Sequence, residues 1–255
     1  DLSFEYTADW YNGEIFATVQ KSKRIAKDPV TETFTWNQLS PTGTIPGGRK
    51  ESMTIRIEDK WYIINGGNNS ARFEDVQVYD FTQNSWTALS TTNYVLHSSG
   101  AIVSYNGDIY TYGGFNSSWT ITGDLRKLNL TTNTWSVISS NGTTPGPRNY
   151  QTAIIYNGKM IMYGGQNASW EHKNDTWEYD FDNNSWQPLV TEGDLPVKQE
   201  GIRSGIYNDK LYVMHGYNSG TLDHTAIWTL ELIPNASGKY IWTKIWHGAP
   251  PLGYL

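Results

Sequence analysis

The sequence predicts an all-β protein made of five repeats of one four-stranded antiparallel unit, and three observations carry that prediction. A pair of landmarks recurs together: Gly113-Gly114 and Trp135 reappear as Gly164-Gly165 and Trp186, both displaced by 51 residues. A turn dipeptide recurs as Asn12-Gly13, Asp59-Lys60, Asn106-Gly107, Asn157-Gly158 and Asn208-Asp209, at steps of 47, 47, 51 and 51. No stretch sustains apolar spacing of helical period, and Gly, Asn and Thr punctuate the chain too densely for a helix of any length. A period shared by independent landmarks marks a repeat architecture and outranks a local reading of any one segment.

Each repeat follows one plan. A first strand such as Gln151 to Ile155 leads into the turn and a second strand such as Met160 to Tyr163; Asn-Gly and its relatives tolerate positive φ, so the pair reads as a β-hairpin. A Gly pair follows as Gly66-Gly67, Gly113-Gly114 and Gly164-Gly165, with His215-Gly216 in the fifth repeat and Val19-Gln20 in the first. Two adjacent Gly residues let the chain leave the strand in a conformation that a Cβ opposes, so the first repeat is expected to be distorted there. After a polar loop, a third strand ends in Lys27-Asp28, Tyr79-Asp80, Leu128-Asn129, Tyr179-Asp180 or Leu230-Glu231, at steps of 52, 49, 51 and 51. An aromatic stands six residues further on as Phe34, Trp86, Trp135 and Trp186, and the fifth repeat reaches Trp242 after an insertion, Ile233 to Lys239. Asp-x-x-x-Asn-Ser-Trp, at 80–86 and 180–186, is a hairpin turn whose polar side chains can bond local backbone.

Composition narrows the function classes. The 255 residues are 38% hydrophobic and 14% aromatic, with 24 Gly and 12 Trp, a balance that suits short strands and tight turns. A net charge of −6, with Lys21-Ser22-Lys23-Arg24 as the one dense basic cluster, argues against nucleic-acid binding. No apolar run approaches the roughly 20 residues of a membrane span, so no membrane insertion by this segment is expected. The chain opens without Met and reads as processed or excerpted. It contains no Cys, hence no disulfide framework, thiolate metal site or Cys nucleophile.

Four-stranded units of this period, each with a Gly pair, a Tyr-Asp and a Trp, resemble the kelch repeat of β-propellers. The resemblance covers essentially the whole chain and implies one propeller domain over 1–255, with blades at about 1–40, 41–90, 91–140, 141–191 and 192–248. Residues 249–255, from Ala249-Pro250-Pro251, read as the entry to a further blade. Kelch propellers more often close with six or seven blades, so the chain is expected to be part of a larger ring; a closed five-bladed propeller is the alternative. The resemblance further implies that the strand after the Pro-rich loop is innermost and that Trp86, Trp135 and Trp186 pack between blades. The Pro-x-x-Arg that enters the inner strand in that family appears as Pro46-Gly47-Gly48-Arg49 and Pro145-Gly146-Pro147-Arg148. Leu96-His97 and Pro196-Val197-Lys198-Gln199 replace it elsewhere, so the ring of arginines is incomplete.

Some kelch-like propellers are enzymes, and their motifs can be sought one by one. Galactose oxidase needs a Cys-linked Tyr, which a chain without Cys cannot form. The nitrile-specifier proteins carry Glu-x-x-x-Asp-x-x-x-His for iron, and the nearest match, Glu171-x-x-x-Asp175-x-x-x-Tyr179, replaces the last ligand. Nothing beyond the repeat points to the sialic-acid mutarotases. Among His97, His172, His215, His224 and His247 no pair has helical metal-ligand spacing. No catalytic residues, metal or cofactor are therefore assigned. The stronger feature lies in the loops between second and third strands, where Trp119 and Trp170 stand six residues after the first Gly of the pair, with Phe73 and Tyr217 nearby in their own repeats. Exposed aromatics there would anchor a partner; the competing reading is that each Trp folds onto its own blade. The expected function is a non-catalytic module that recognises a protein partner, or a neighbouring subunit, through Phe73, Trp119, Trp170 and Tyr217, with Lys21, Lys23 and Arg24 as a charged neighbour. A glycan-binding or carbohydrate-active propeller of the cell surface is the alternative. Sequons at Asn68, Asn116, Asn129, Asn141, Asn167, Asn174, Asn183 and Asn235 favour an extracellular or cell-surface setting over a cytoplasmic one, although Asn116 and Asn167 hold equivalent places and could equally brace the loop.

Overall fold

The computed structural model describes residues 10–11, 14–15, 37–68, 70–214, 216–217 and 226–247. The expectations placed on Asn12-Gly13, Val19-Gln20, Lys21, Lys23, Arg24, Lys27-Asp28, Phe34, His215, His224 and 249–255 lie outside those residues. The chain divides into two compact units, Asp1–Ser90 and Thr91–Leu255. Among the described residues every regular element is a strand.

In the first unit, β1 (Trp10–Tyr11) and β2 (Glu14–Ile15) pair antiparallel. A five-stranded sheet follows from β3 (Thr42–Gly43), β4 (Met53–Ile57), β5 (Lys60–Ile64), β6 (Val76–Asp80) and β7 (Ser85–Leu89), ordered β3-β7-β6-β5-β4. The second unit begins with β8 (Ala101–Tyr105), β9 (Asp108–Phe115), β10 (Ile121–Asn129) and β11 (Thr134–Ile138), ordered β11-β10-β9-β8. Next come β12 (Asn141–Gly142), β13 (Arg148–Asn149), β14 (Thr152–Tyr156), β15 (Lys159–Tyr163), β16 (Gln166–Asn167), β17 (Thr176–Asp180) and β18 (Ser185–Pro188), ordered β12-β18-β17-β15-β14 with β13 and β16 as a separate pair. The last sheet holds β19 (Thr191–Gly193), β20 (Arg203–Tyr207), β21 (Lys210–Met214), β22 (Ala226–Glu231) and β23 (Tyr240–His247), ordered β19-β23-β22-β21-β20. Within the second unit β14 lies beside both β8 and β20, so the first strands of its three sheets stand side by side. Each of these four sheets contains the four antiparallel strands that the kelch resemblance implied.

Three of the four sheets carry an additional strand that the four-stranded plan lacked. β3, β12 and β19 run parallel to the outermost strands β7, β18 and β23, covering an edge that would otherwise present unpaired backbone. Thr92 bridges Thr134 at the same place in the remaining sheet. The close approach requires Gly43, Gly142 and Gly193, at φ of 83°, 80° and 93°, because a Cβ on each would strike the carbonyl of Trp86, Trp186 or Trp242.

Two landmarks of the second repeat need correction. β4 ends at Ile57 and Glu58 has φ of 51°, so the hairpin turn is Glu58-Asp59 rather than Asp59-Lys60. Likewise Asn65 and Gly66, at 60° and 93°, adopt the backbone of Gly113-Gly114 (67°, 95°) and Gly164-Gly165 (70°, 90°), so Gly66-Gly67 is not the equivalent pair. Asn tolerates the left-handed region and here stands in for Gly.

The recurring Trp closes the core. Trp86, Trp135, Trp186 and Trp242 are all buried. In the second unit Trp186 packs on Tyr112 and Trp242 on Tyr163, each at 4.9 Å between ring centroids, so each Trp seals its blade to the preceding one. The adjoining motif ties itself: Asp180 Oδ1 accepts the N–H groups of Asp182 and Asn183, each at 2.9 Å, and Tyr179 donates to Asn184 Oδ1 at 2.6 Å. Tyr79 and Asn84 repeat that contact at 2.6 Å in the first unit.

Candidate functional site

The loops between second and third strands are turns braced by an Asn. Asn116 Oδ1 accepts the N–H groups of Ser118 and Thr120, each at 2.9 Å, and Asn167 Oδ1 accepts those of Ser169 and Glu171, at 3.0 and 2.9 Å. The fourth residue of each turn donates its N–H back to the Asn carbonyl, Trp119 at 3.1 Å and Trp170 at 2.9 Å. Closing the turn this way places Trp119 and Trp170 at φ of 61° and 62°. A bulky residue rarely takes that conformation, which costs on the order of 1–3 kcal/mol. Both indoles project outward, Trp119 58% and Trp170 61% exposed. The reading in which each Trp lies flat on its own blade is therefore wrong for most of each ring.

The two indoles meet through a third ring. Phe115, buried at the end of β9, lies 5.7 Å from Trp119, 6.0 Å from Trp170 and 5.9 Å from Tyr150, centroid to centroid. One aromatic ridge thus spans two successive blades. On the third blade Tyr217 is 51% exposed, and the His172 ring meets it at 6.0 Å. Phe115 and Tyr150 were missed in the sequence because each belongs to its repeat's strand or strand entry; only the packing of neighbouring blades brings them under the loops.

A cleft of about 310 Å³ opens between the 145–148 and 167–169 segments, lined by Pro145 to Arg148, Asn167 to Ser169, Lys173 and Asp175. Its charges are internally matched. Arg148 forks onto Asp175 at 2.9 and 3.1 Å, and Lys173 reaches Glu171 at 2.9 Å. Burial pushes the Asp175 carboxyl up, but Arg148 and the Trp177 N–H outweigh it and hold the group below its usual range. Lys173 and Asn167 lower Glu171 in the same sense. The Glu-Asp-Tyr series therefore does not converge on an ion: Asp175 belongs to Arg148, Glu171 to Lys173, and Tyr179 is buried against Trp186 at 5.1 Å.

Where Pro-x-x-Arg is missing, other groups hold the equivalent loop. Arg126 bonds Asp124 at 2.7 Å, from the position that Trp177 fills beside Asp175. His97, in place of the arginine, is buried between the Val95 carbonyl at 3.0 Å and the Thr111 hydroxyl at 2.6 Å. Burial, helped by the Arg126 charge and opposed by the Val95 carbonyl and Asp124, lowers its pKa to about 4. His172 Nε2 faces Glu200 Oε2 at 3.7 Å, and burial raises the Glu200 carboxyl against the pull of His172.

In the first unit Phe73 is half-buried, with the Arg49 guanidinium 4.4 Å from its ring centroid. It is already engaged rather than presented. Several sequons also have local employment: Asn68 and Asn129 brace turns as Asn116 and Asn167 do, Asn174 Nδ2 donates to the Pro196 carbonyl at 3.0 Å, and Asn183 Nδ2 donates to Asp180 at 2.9 Å. Turn chemistry accounts for much of their density. No group of three or more His, Asp or Glu positioned to hold a metal occurs among the described residues.

Fold and site together define a propeller whose rim loops carry preformed aromatic features. A family model described as the KLHDC2/KLHL20/DRC7 Kelch-repeats domain matches residues 97–246, and the chain belongs to the kelch-repeat family. Leucine-zipper-like transcriptional regulator 1 of Pongo abelii is 32% identical over 88% of this chain and 28% of its own length. Kelch domain-containing protein 3 of Homo sapiens is 26% identical over 52% of this chain and 38% of its own. Acyl-CoA-binding domain-containing protein 5 of Arabidopsis thaliana is 21% identical over 72% and 31% respectively. The chain thus spans well under half the length of these relatives. Kelch domains generally mediate protein interactions, and no helix here is long and apolar enough to cross a membrane among the described residues.

Proposed function

We propose that this chain is a non-catalytic binding module that holds a protein partner on the rim of its second-to-third-strand loops, with Trp119 and Trp170 as anchors and Tyr217 as an extension. One observation carries the reading: both indoles are exposed on left-handed backbone, a conformation the turn would obtain more cheaply from Gly. Exposed Trp on a rigid support is the residue most enriched among interface hot spots. The titratable groups nearby are paired with one another, which supports a binding role over acid–base chemistry. Phe73 is left out because Arg49 already covers it, and Lys21, Lys23 and Arg24 lie outside the described residues.

The test compares proteins retained by the chain, by its Trp119→Ser/Trp170→Ser double variant, and by a Val137→Ser control altered on the outer strand β11. The double variant should lose a partner that both others retain, by tenfold or more for anchors worth about 2 kcal/mol each, with its thermal midpoint near that of the parent. A partner held equally by all three would move recognition away from this rim.

A further inference from the structure

The two seams between the three sheets of the second unit repeat one backbone pattern with different chemistry. At the first, Ile121 pairs with Phe115 and Asn149 with Gln166. At the second, the corresponding places 51 residues on hold His172, which bridges Gln166, and Glu200, whose backbone exchanges hydrogen bonds with Tyr217 at 3.0 and 2.8 Å. Of the two pairs, only His172 and Glu200 can titrate. Their side chains are 9% and 16% exposed, and His172 Nε2 stands 3.7 Å from Glu200 Oε2. That exceeds hydrogen-bond distance, and among the described residues neither atom has a hydrogen-bond partner. Burial disfavours the Glu200 carboxylate and raises its pKa against the pull of the His172 charge. The charges around the pair are engaged or turned to solvent: Lys173 bonds Glu171, Lys198 bears on Glu171, Asp175 is forked by Arg148, and Arg203 is exposed.

Three links tie this pair to the rim. His172 follows Trp170 by two residues in the same loop, its ring meets Tyr217 at 6.0 Å, and Glu200 holds the Tyr217 backbone. A neutral imidazole has one N–H to place on either nitrogen, whereas an imidazolium carries a proton on both, so a proton taken from solvent ensures that Nε2 donates toward Glu200. A charge-assisted bond of that kind closes at about 2.8 Å, well inside the present 3.7 Å. Resting on the rim reading above, we propose that His172 and Glu200 form a proton-operated clasp, which draws the Trp170 loop against the strand entry that holds Tyr217 and tightens the rim's grip in mildly acid solution. When the imidazole loses that proton the clasp relaxes, and Trp170 and Tyr217 are no longer held in one arrangement. The first seam, with Ile121 and Asn149 in the same places, has no such response.

Nuclear magnetic resonance of the intact chain between about pH 5 and pH 8 provides the test, since a histidine changes charge in that interval. In the parent the Tyr217 ring and Trp170 indole signals should move together along one titration curve. In His172→Gln both should stay fixed, and in Glu200→Gln, where His172 still takes its proton, the Trp170 indole should no longer follow. A protein held by the rim should be retained at least about fivefold more tightly at the acid end by the parent, and equally at both ends by either variant. Signals that ignore pH, that still titrate in His172→Gln, or that follow the proton in Glu200→Gln as in the parent would overturn the clasp. Titrating signals with retention independent of pH would remove its control of the rim. If instead the Trp119→Ser/Trp170→Ser variant kept its partner, the rim reading would fall, while the Tyr217 ring in the parent would still report on the clasp.

Discussion

In the turn at 167–171 and in the turn at 235–239 an Asn side chain accepts two backbone N–H groups, and the fourth residue donates to the Asn carbonyl, yet that residue is Trp170 in one and Gly238 in the other. The distances agree closely: 3.0, 2.9 and 2.9 Å around Asn167 against 2.9, 3.0 and 2.8 Å around Asn235. Both fourth residues are left-handed, at 62° and 74°. The turn therefore forms equally well around Gly, which takes this backbone without a Cβ penalty. Among the described turns of this geometry, those at 116–120 and 167–171 place a Trp there. The comparison teaches that the turn does not itself require the indole, which supports the proposed assignment of the rim to recognition.

The largest expected effect uses the core as a yardstick. Trp186→Ala should cost about 3–5 kcal/mol, as for other buried aromatics, while Trp170→Ala, only 16 residues earlier, should cost far less in denaturant unfolding. Equal costs would mean that the rim indole is structural and would break the contrast with Gly238. The pH response should separate the same regions. Because the folded-state pKa of His97 is depressed to about 4, its contribution is present above the unfolded value near 6.5 and is lost as pH falls through the folded one. Stability should decline by about 3 kcal/mol across that window, and His97→Gln should flatten the decline, whereas Trp170→Ser should leave its shape unchanged.

Smaller effects test the turns themselves. Asn167→Ala and Asn235→Ala each remove three exposed side-chain hydrogen bonds, two accepted by Oδ1 in the same geometry and one donated by Nδ2 to a Glu, and should cost similar amounts, about 1 kcal/mol; a much larger loss at 167 would show that the brace also holds the ridge. At the fourth position, Trp170→Gly should be more stable than Trp170→Ala by about 1 kcal/mol, and Gly238→Ala should lose about the same. Paired thermal midpoints decide both. If Ala proved the better replacement at 170, the left-handed strain argument would fail.

Much of the fold was legible because its determinants are local. Asn106-Gly107 and Asn157-Gly158 set hairpins through their own backbone freedom, and Asp180 with Asn184 ties the next hairpin within five residues. The period of Trp86, Trp135 and Trp186 then exposed the blade. The reading slipped by one residue in the second repeat because Asn65 does the work of a Gly, and a search for paired Gly cannot see that equivalence. Of the candidate site, Trp119, Trp170 and Tyr217 could be read from their repeat positions, and Asn-x-Ser-Trp at 116–119 and 167–170 was a visible cue to their common geometry. Phe115 and Tyr150 could not be read, since their importance lies in which blade stands next to which.

By itself the sequence determined the order of the four antiparallel strands, the hairpin chemistry and the Trp that closes the repeat in the four described sheets, because turn conformation and alternating burial depend on neighbours a few residues apart. Only the tertiary structure decided that Trp186 seals onto Tyr112, that Gly142 brings a parallel strand against β18, and that Phe115 joins Trp119 to Trp170. The first and the last of these contacts join residues from adjacent repeats, where the packing of one blade on the next selects them, and the second joins the two ends of one repeat, more than 40 residues apart in the chain. A ridge that crosses two blades therefore comes into existence only when the blades pack.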